Sequence, residues 1–151
     1  MPAQNHPPRD KEGRNPAMID AHSALIYTMV LMSAADRDMT DAELHLIGDV
    51  TKHLPVFRAY DQAKLPAAAE ACAELLAGPN GLDKALESIT SSLPKRLHET
   101  AYALACDVAA ADAHASQEEL RLLEILRDRL EIGPLEAAAI ERGARARHTL
   151  L

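Results

Sequence analysis

The sequence contains an internal repeat, and this feature restricts the possible folds more than any other. When the chain is shifted by 76 residues, residues 31–50 align with residues 107–126 without a gap. Six positions are then identical: Ala34, Ala35, Asp36, Glu43, Leu44 and Leu46 align with Ala110, Ala111, Asp112, Glu119, Leu120 and Leu122. Such a repeat indicates two copies of one supersecondary unit. We therefore predict two related helical hairpins, around residues 20–54 and 96–130, in a pseudo-twofold arrangement.

The amino-acid composition indicates that the repeated unit is helical. Alanine (29 residues) and leucine (21) dominate, whereas valine and isoleucine together supply eleven residues. Alanine and leucine lose little side-chain freedom in a helix, and the β-branched residues that favour strands are scarce. A chain of 151 residues is long enough to bury a core without disulfides. The sequence thus predicts a single all-α domain, a compact bundle of about seven helices.

Prolines, glycines and capping residues divide the chain into segments. Residues 1–17 contain four prolines and almost no apolar side chains, so we predict a disordered arm, followed by a folded domain over residues 18–151. Helix N-caps are predicted at Asp20, Thr40 and Ser116. The seven predicted helices follow Asp20 and Thr40 and then cover about 66–76, 82–93, 94–111, 116–130 and 135–147.

The spacing of apolar residues predicts the packing faces of the second and fourth helices. The side chains concerned are Leu44, Ile47 and Val50, expected to face inward from the second helix, and Leu82, Leu86 and Ile89, expected on one side of the fourth. The segment Val56–Lys64, between the second and third helices, is predicted to be irregular or a single turn.

The charge balance argues against a nucleic-acid partner. The formal net charge is -7, with 23 acidic residues against 16 lysines and arginines. The basic residues Arg142, Arg145, Arg147 and His148 stand at the end of the last predicted helix, where cations complement exposed carbonyl groups. No apolar stretch reaches the ~20 residues of a membrane span, and the N-terminus lacks the apolar core of a signal peptide. We therefore predict a cytoplasmic protein.

The two cysteines, Cys72 and Cys106, are too few for a disulfide framework. Both lie within alanine-rich helical patterns. We therefore predict buried thiols in a reducing compartment rather than a redox pair.

Both copies of the repeat contain the same polar frame, which defines two acidic segments, residues 36–43 and 112–119. An Asp is followed by a hydroxyl residue and then a Glu: Asp36, Thr40 and Glu43 in the first segment, and Asp112, Ser116 and Glu119 in the second. The hydroxyl and the Glu fit a capping box, which satisfies amide groups at a helix start. The Asp falls at the expected end of the preceding helix, where it is unfavourable by ~0.3–1 kcal/mol unless an Asx-type turn, a cation or the amino end of the following helix compensates.

Clustered carboxylates in the acidic segments also indicate metal binding. Hard divalent ions prefer oxygen ligands, and a histidine shifts the preference toward a transition metal. The candidate ligands for a divalent ion (Ca, Mn or Zn) are Asp36, Asp38, Glu43, Asp112, His114 and Glu119. The first segment begins like an EF-hand loop but has Asp41 instead of the required glycine and Ile47 instead of the final Glu. The two sites need not be equivalent.

No pattern indicates catalysis. The sequence has no glycine-rich phosphate loop, no serine nucleophile elbow, no HExxH and no CxxC motif. Asp107 borders an apolar helical stripe, which leaves either a surface position or a place near the acidic segments. His22, His45, His53 and His98 lack the i, i+4 spacing of helical metal ligands, and we expect them to be surface or core residues.

The motif AADRDMTDAEL and its echo AADAHASQEEL resemble the tellurite-resistance protein TerB family, as do the phrases MVLMSAAD, ALACDVAAAD and AAIERGARARH. The resemblance covers about residues 18–148. It implies an all-helical fold with internal pseudo-symmetry, a role in tellurite or chemical stress, and metal-sensing or membrane-associated complexes with other Ter proteins, without an established reaction. By position, the family's acidic residues fall on Asp36, Glu43, Asp112 and Glu119. Arg37 and Ala113 stand where relatives often have glycine.

Three hypotheses follow. The first is a non-enzymatic TerB-like protein that binds divalent cations through its acidic segments and acts with partner proteins. The second is a metal-independent interaction scaffold, in which the acidic residues only cap helices and contact a basic partner. The third is an enzyme that uses paired carboxylates and a metal for hydrolysis, but no nucleophile or oriented base accompanies the acids.

Overall fold

Helices form all the regular structure in the part of the chain that the computed structural model describes, residues 18–35, 40–111 and 115–151. Seven α-helices lie in these ranges: α1 Ala21–Ala34, α2 Asp41–His53, α3 Leu65–Ala77, α4 Gly81–Ser92, α5 His98–Ala111, α6 Gln117–Arg129 and α7 Pro134–Arg147. Short 3-10 turns cover Pro55–Phe57, Gln62–Lys64 and Lys95–Leu97. The all-α prediction is confirmed, while the predicted arm at residues 1–17 lies outside the described residues.

The predicted helix starts are confirmed by their capping hydrogen bonds. Ser23 N donates to Asp20 Oδ1 at 2.7 Å, so Asp20 caps α1. Thr40 and Ser116 cap α2 and α6 through their hydroxyl groups. Between α2 and α3, where the sequence predicts one turn at most, the chain forms two separate 3-10 turns.

Helix α1 lies at the centre of the bundle. Ten successive residues, from Ala24 to Ser33, are buried, because α3, α4 and α5 all pack against this helix. Two polar side chains within this stretch are satisfied inside the helix itself: Thr28 Oγ1 donates to Ala24 O at 2.8 Å, and Ser33 Oγ donates to Met29 O at 3.1 Å. A helix that is apolar on all sides is stable only when it is surrounded in this way.

Helix α5 is the second organising element. It packs against α1 on one side and against α2, α6 and α7 elsewhere. Its buried face combines small and large side chains: Ala101, Ala105 and Ala109 are almost completely buried, as are Tyr102, Leu104 and Val108. The small side chains allow α5 to approach its neighbours closely.

The prediction that Leu44 faces inward is wrong. Leu44 is 53% exposed and Leu82 is 42% exposed, whereas Ile47 is buried as predicted. In α2 the inward position one turn before Ile47 belongs to Glu43, because residues four apart share a helix face. Leu44, the next residue, is therefore turned to the flank. Leu82 lies in the first turn of α4, on the rim of a small cleft beside α1 and α6.

The helix boundaries agree with the internal duplication. Helix α2 spans residues 41–53 and α6 spans residues 117–129, so the same shift of 76 relates both ends. Helices α1 and α5 correspond to within one residue at each end. The pseudo-twofold relation between the two units stays a prediction. In the described ranges, no helix has the length and apolar character required to cross a bilayer.

Candidate cation site at the acidic segments

The structure describes two of the six predicted metal ligands. Asp36 and Asp38 follow α1 in the sequence, and Asp112 and His114 follow α5, but all four lie outside the described residues. Glu43 and Glu119 are described, and each is the third residue of the second helix in its unit. These two carboxylates are therefore the part of the candidate site whose geometry is known.

Glu43 and Glu119 are completely buried, with 0% of each residue exposed. The acidic residues next to them differ, because Asp41 and Glu118 are exposed to solvent. The leucine that follows each buried Glu is also exposed, 53% for Leu44 and 44% for Leu120. The two units therefore share an inverted pattern, in which a carboxylate points inward and the adjacent leucine points outward.

Helix capping fixes the backbone around both carboxylates. Glu43 N donates to Thr40 Oγ1 at 3.2 Å, and Glu119 N donates to Ser116 Oγ at 3.1 Å. In the second unit Ser116 N also donates to Glu119 Oε1 at 3.3 Å, which completes a capping box. The capping prediction is thus confirmed in full at Ser116, and for the hydroxyl bond at Thr40. The Glu119 carboxylate consequently lies at the end of α6 that adjoins residues 112–114.

The electrostatic setting favours negative charge at both positions. The first turn of a helix presents unpaired N–H groups and the positive end of the helix dipole, which stabilise a nearby anion by ~0.3–1 kcal/mol at exposed sites and by more when partly buried. Complete removal of a carboxylate from water is costly unless hydrogen bonds or cations compensate. Each acidic segment therefore contains one buried carboxylate in a stretch whose sequence has further oxygen or imidazole ligands.

Within residues 18–35, 40–111 and 115–151, no group of three or more His, Cys, Asp or Glu side chains is arranged to hold a metal ion. Each acidic segment contributes one described candidate ligand, Glu43 or Glu119. The remaining predicted ligands belong to the ranges that are not described.

The sequence interpretation treated His22 and His98 only as surface or core residues and did not recognise them as an equivalent pair. His22 Nε2 lies 2.7 Å from Val56 O, and His98 Nδ1 lies 3.0 Å from Leu130 O. Both contacts require the ring nitrogen to bear the proton, since a carbonyl oxygen only accepts. His22 and His98 are themselves 76 residues apart. Extending the repeat register beyond residues 31–50 would have identified the pair.

These histidines join the start of the first helix of each unit to the chain that follows the second helix. In the first unit the imidazole also stacks on Phe57, with ring centroids 5.3 Å apart, and meets the edge of Tyr60 at 5.2 Å. The contacts hold the far ends of the helix pairs together. Glu43 and Glu119 lie in the first turns of α2 and α6, whereas the histidines contact the chain after these helices, so we assign the histidines a structural role.

Asp107 is engaged by the end of α7. Its Oδ1 accepts a hydrogen bond from Arg147 Nη2 at 2.6 Å and lies 3.5 Å from His148 Nε2. The Asp107 side chain is 17% exposed, so it is a partly buried residue at the edge of the apolar face. Two members of the basic cluster at the end of α7 are thereby assigned to an ion-pair cluster that ties α7 to α5.

Both cysteines are buried and free, as predicted. Burial raises the pKa of Cys72 to about 12, and burial raises the pKa of Cys106 to about 12 as well. Each thiol is therefore protonated near neutral pH and is a poor nucleophile or metal ligand. The reducing compartment stays a prediction.

The family model of tellurite resistance protein TerB matches residues 22–144, a range that includes both units and most of α7. No curated protein and no solved structure matches the chain. Because the family model covers most of the chain, from α1 to α7, the chain belongs to the TerB family.

Proposed function

We propose that this TerB-family protein binds divalent cations through its two acidic segments and couples cation binding to contact with partner proteins in a tellurite or chemical-stress response. The proposal assigns no catalytic reaction to the chain and places it in the cytoplasm. The observation that supports it best is the burial of Glu43 and Glu119 at equivalent positions of the two units.

The burial is informative because an apolar residue would be the ordinary choice at these positions. Four residues after each Glu comes an apolar residue, Ile47 in α2 and Leu123 in α6, on the same helix face. Each copy of the repeat nevertheless has a buried carboxylate on this face of the helix. A cation held beside it would add stabilisation to that provided by the helix N-terminus.

The two donor sets fit different ions. The first segment offers carboxylate oxygens from Asp36, Asp38 and Glu43, a set that suits Ca²⁺. The second offers Asp112, His114 and Glu119, and the imidazole shifts the preference toward Mn²⁺ or Zn²⁺. We therefore propose that the segments bind different ions, so that one chain responds to two kinds of cation.

The alternative is a metal-independent scaffold, and one observation favours it. The capping box at Ser116 and Glu119 is complete, so helix capping alone explains part of the second acidic segment. In this alternative the exposed acids Asp41 and Glu118 contact a basic partner, and the buried acids only shape the helix starts. Metal would then leave the stability of the protein unchanged.

Thermal unfolding with and without metal distinguishes the cation-binding proposal from the metal-independent scaffold. At a free ion concentration of 100 times the dissociation constant, one site adds ~2.7 kcal/mol, which raises the melting temperature by roughly 5–10 °C for a domain of this size. We expect Ca²⁺, Mn²⁺ or Zn²⁺ to produce such a rise over a chelator control. Asp36→Asn combined with Asp112→Asn should abolish it, whereas Asp49→Asn, an exposed acid farther along α2, should not.

The partner half of the proposal has its own test. Other Ter proteins, including membrane-associated ones, are the expected partners, so peripheral membrane association is included in the proposal. Pull-downs should recover a partner in the presence of metal and lose it with chelator. Recovery that is independent of metal, but lost when Asp41 and Glu118 are neutralised, would favour the scaffold.

A further inference from the structure

A groove of about 590 Å³ lies between α6 and α7, on the side of the bundle formed by α5. Helices α6 and α7 each pack against α5, and α5 supplies the floor of the groove. Along α5 the groove extends from Tyr102 to Ala110. Ala110 is eight positions after Tyr102, which corresponds to about 12 Å at 1.5 Å per residue. Its volume falls within the range of ~300–1,000 Å³ typical of small-molecule sites.

The floor and much of the walls are apolar. Ala109 and Ala144 are buried, Ala110 and Leu123 are partly buried, and Leu120 at the rim is 44% exposed. These small and aliphatic side chains leave a channel that can accept a hydrocarbon chain. Burying apolar surface there is favourable by ~25 cal/mol per Å².

The two carboxylates that line the groove already have partners. Tyr102 Oη donates a hydrogen bond to Glu141 Oε1 at 2.6 Å, and Arg127 Nη1 lies 4.0 Å from the same oxygen. Glu124 Oε2 is paired with Arg121 Nη1 at 3.0 Å. The negative charges in the wall are therefore largely compensated by groups of the protein itself.

The positive charge of Arg145, one turn after Glu141 on α7, is not paired in this way. Arg145 lines the groove from α7 and is exposed. Among the residues that the structure describes, no carboxylate lies within ion-pair distance of its guanidinium, while its neighbour Arg147 is paired with Asp107. Among the described residues that line the groove, the charged side chain without an ion-pair partner is thus a cation, which complements an anionic ligand group.

Tyr102 marks the polar end of the groove. It is 1% exposed, and burial together with the hydrogen bond to Glu141 raises the pKa of its hydroxyl group. A buried and strongly perturbed group inside a concave, mostly apolar site is typical of a binding site. Ala115 of the second acidic segment lines the groove, but neither Glu43 nor Glu119 does, so the cation proposal does not account for this arrangement.

We propose that the groove binds a small amphipathic monocarboxylate, whose apolar chain lies over Ala109 and Ala144 and whose carboxylate pairs with Arg145. The apolar floor accounts for the chain, and the uncompensated guanidinium accounts for the acid. No candidate cation ligand is among the described residues that line this groove, so the two proposals are tested by different ligands and variants.

Titration of the full chain with sodium octanoate, followed by calorimetry, tests the proposal. We expect saturable binding, at least tenfold weaker binding by Arg145→Ala, and retained binding by Arg145→Lys. Arg142→Ala is the matched control, because Arg142 is exposed on the same helix but does not line the groove. Octanol, which lacks the charge, should bind at least tenfold more weakly than octanoate.

A second variant tests the position of the apolar chain. Ala110 is only partly buried, so Ala110→Leu should retain the fold. The larger side chain fills part of the floor of the groove and should weaken octanoate binding at least fivefold. Circular dichroism and thermal unfolding of each variant establish that it is folded.

Three results would overturn the proposal. The first is equal loss of octanoate binding in Arg145→Ala and Arg142→Ala, which would indicate general charge attraction. The second is octanol binding as tight as octanoate binding. The third is no octanoate binding at all. If the same groove then captures an acidic amphipathic peptide, it is a protein-docking surface instead.

Discussion

Glu43 and Glu119 stand 76 residues apart, each as the third residue of a helix, and both are withdrawn completely from solvent. Each is preceded by a hydroxyl residue that caps the helix and followed by a leucine that is exposed. The equivalence extends from the caps to the burial pattern. It identifies these carboxylates as the common element of the two acidic segments, and the cation proposal depends on them.

Replacing one buried carboxylate should remove part of the response to metal. In Glu119→Gln the side chain keeps its size but loses its charge. We therefore expect the metal-induced gain in the free energy of unfolding to fall by about one site's contribution, ~2.7 kcal/mol at 100-fold excess of ion. Thermal unfolding in metal and in chelator measures this. The control is Glu118→Gln, an exposed neighbour on the same turn. Equal effects of the two variants would contradict the assigned role of Glu119.

The cap of α6 should contribute stability whether or not metal is bound. Ser116→Ala removes the hydroxyl that accepts from Glu119 N at 3.1 Å. Loss of an N-cap costs ~1 kcal/mol, which lowers the melting temperature of a domain of this size by roughly 2–4 °C. Ser91→Ala serves as the comparison, because Ser91 is an exposed residue near the end of α4. A drop in stability seen only with metal present would show that Ser116 acts through the cation instead.

The contact between Arg147 and Asp107 should stabilise the attachment of α7 to α5. The pair has an N–O distance of 2.6 Å, but the Arg147 side chain is 56% exposed, so solvent screening limits its value. We expect Arg147→Ala to lower the free energy of unfolding by at most ~1 kcal/mol, and by less at high salt. Urea unfolding at two salt concentrations measures this. Arg142→Ala, which removes an exposed arginine of the same helix, should have a smaller and less salt-dependent effect.

Stability should fall at alkaline pH because of the buried thiols. Burial raises the pKa of Cys72 and of Cys106 to about 12 in the folded protein, above the usual range near 8.5. A raised folded-state pKa stabilises the protein fully below the unfolded-state value, and this contribution is lost as pH rises toward 12. Each thiol then costs up to about 1.4 kcal/mol per pH unit.

Urea unfolding between pH 8 and 11 tests the expected decrease in the free energy of unfolding at alkaline pH. The range begins near the usual thiol pKa of about 8.5. The free energy of unfolding should decrease steadily through this range, and the decrease should be shallower in Cys72→Ala. Tyr27, Tyr60 and Tyr102 also have raised pKa values because of burial, so part of the decline should persist in the variant. A slope unchanged by Cys72→Ala would contradict the account.

Local features of the fold could be predicted from the sequence, since their causes are local. The caps at Asp20, Thr40 and Ser116 depend on a hydroxyl or carboxylate and the amide three residues later, and all three are found. The all-α class follows from composition. The agreement between α2 and α6 follows from the repeat, because related sequences with equivalent hydroxyl caps begin and end helices at equivalent positions.

Features that depend on how the helices meet could not be predicted in this way. Leu44 was expected inward because it is apolar, but the position of α2 against α5 turns Glu43 inward instead. The groove between α6 and α7 depends on the angle between two helices that share no sequence signal. The uncompensated charge of Arg145 likewise becomes visible only when the partners of Arg147 and Glu124 are known.

Anomalous diffraction from a crystal grown with Mn²⁺ tests the central claim most directly. The account predicts a peak within coordination distance, ~2.0–2.6 Å, of a Glu119 carboxylate oxygen, and an equivalent peak at Glu43 when Ca²⁺ is replaced by a heavier analogue. Density that shows ions at neither carboxylate, with both side chains bonded only to groups of the protein, would contradict it.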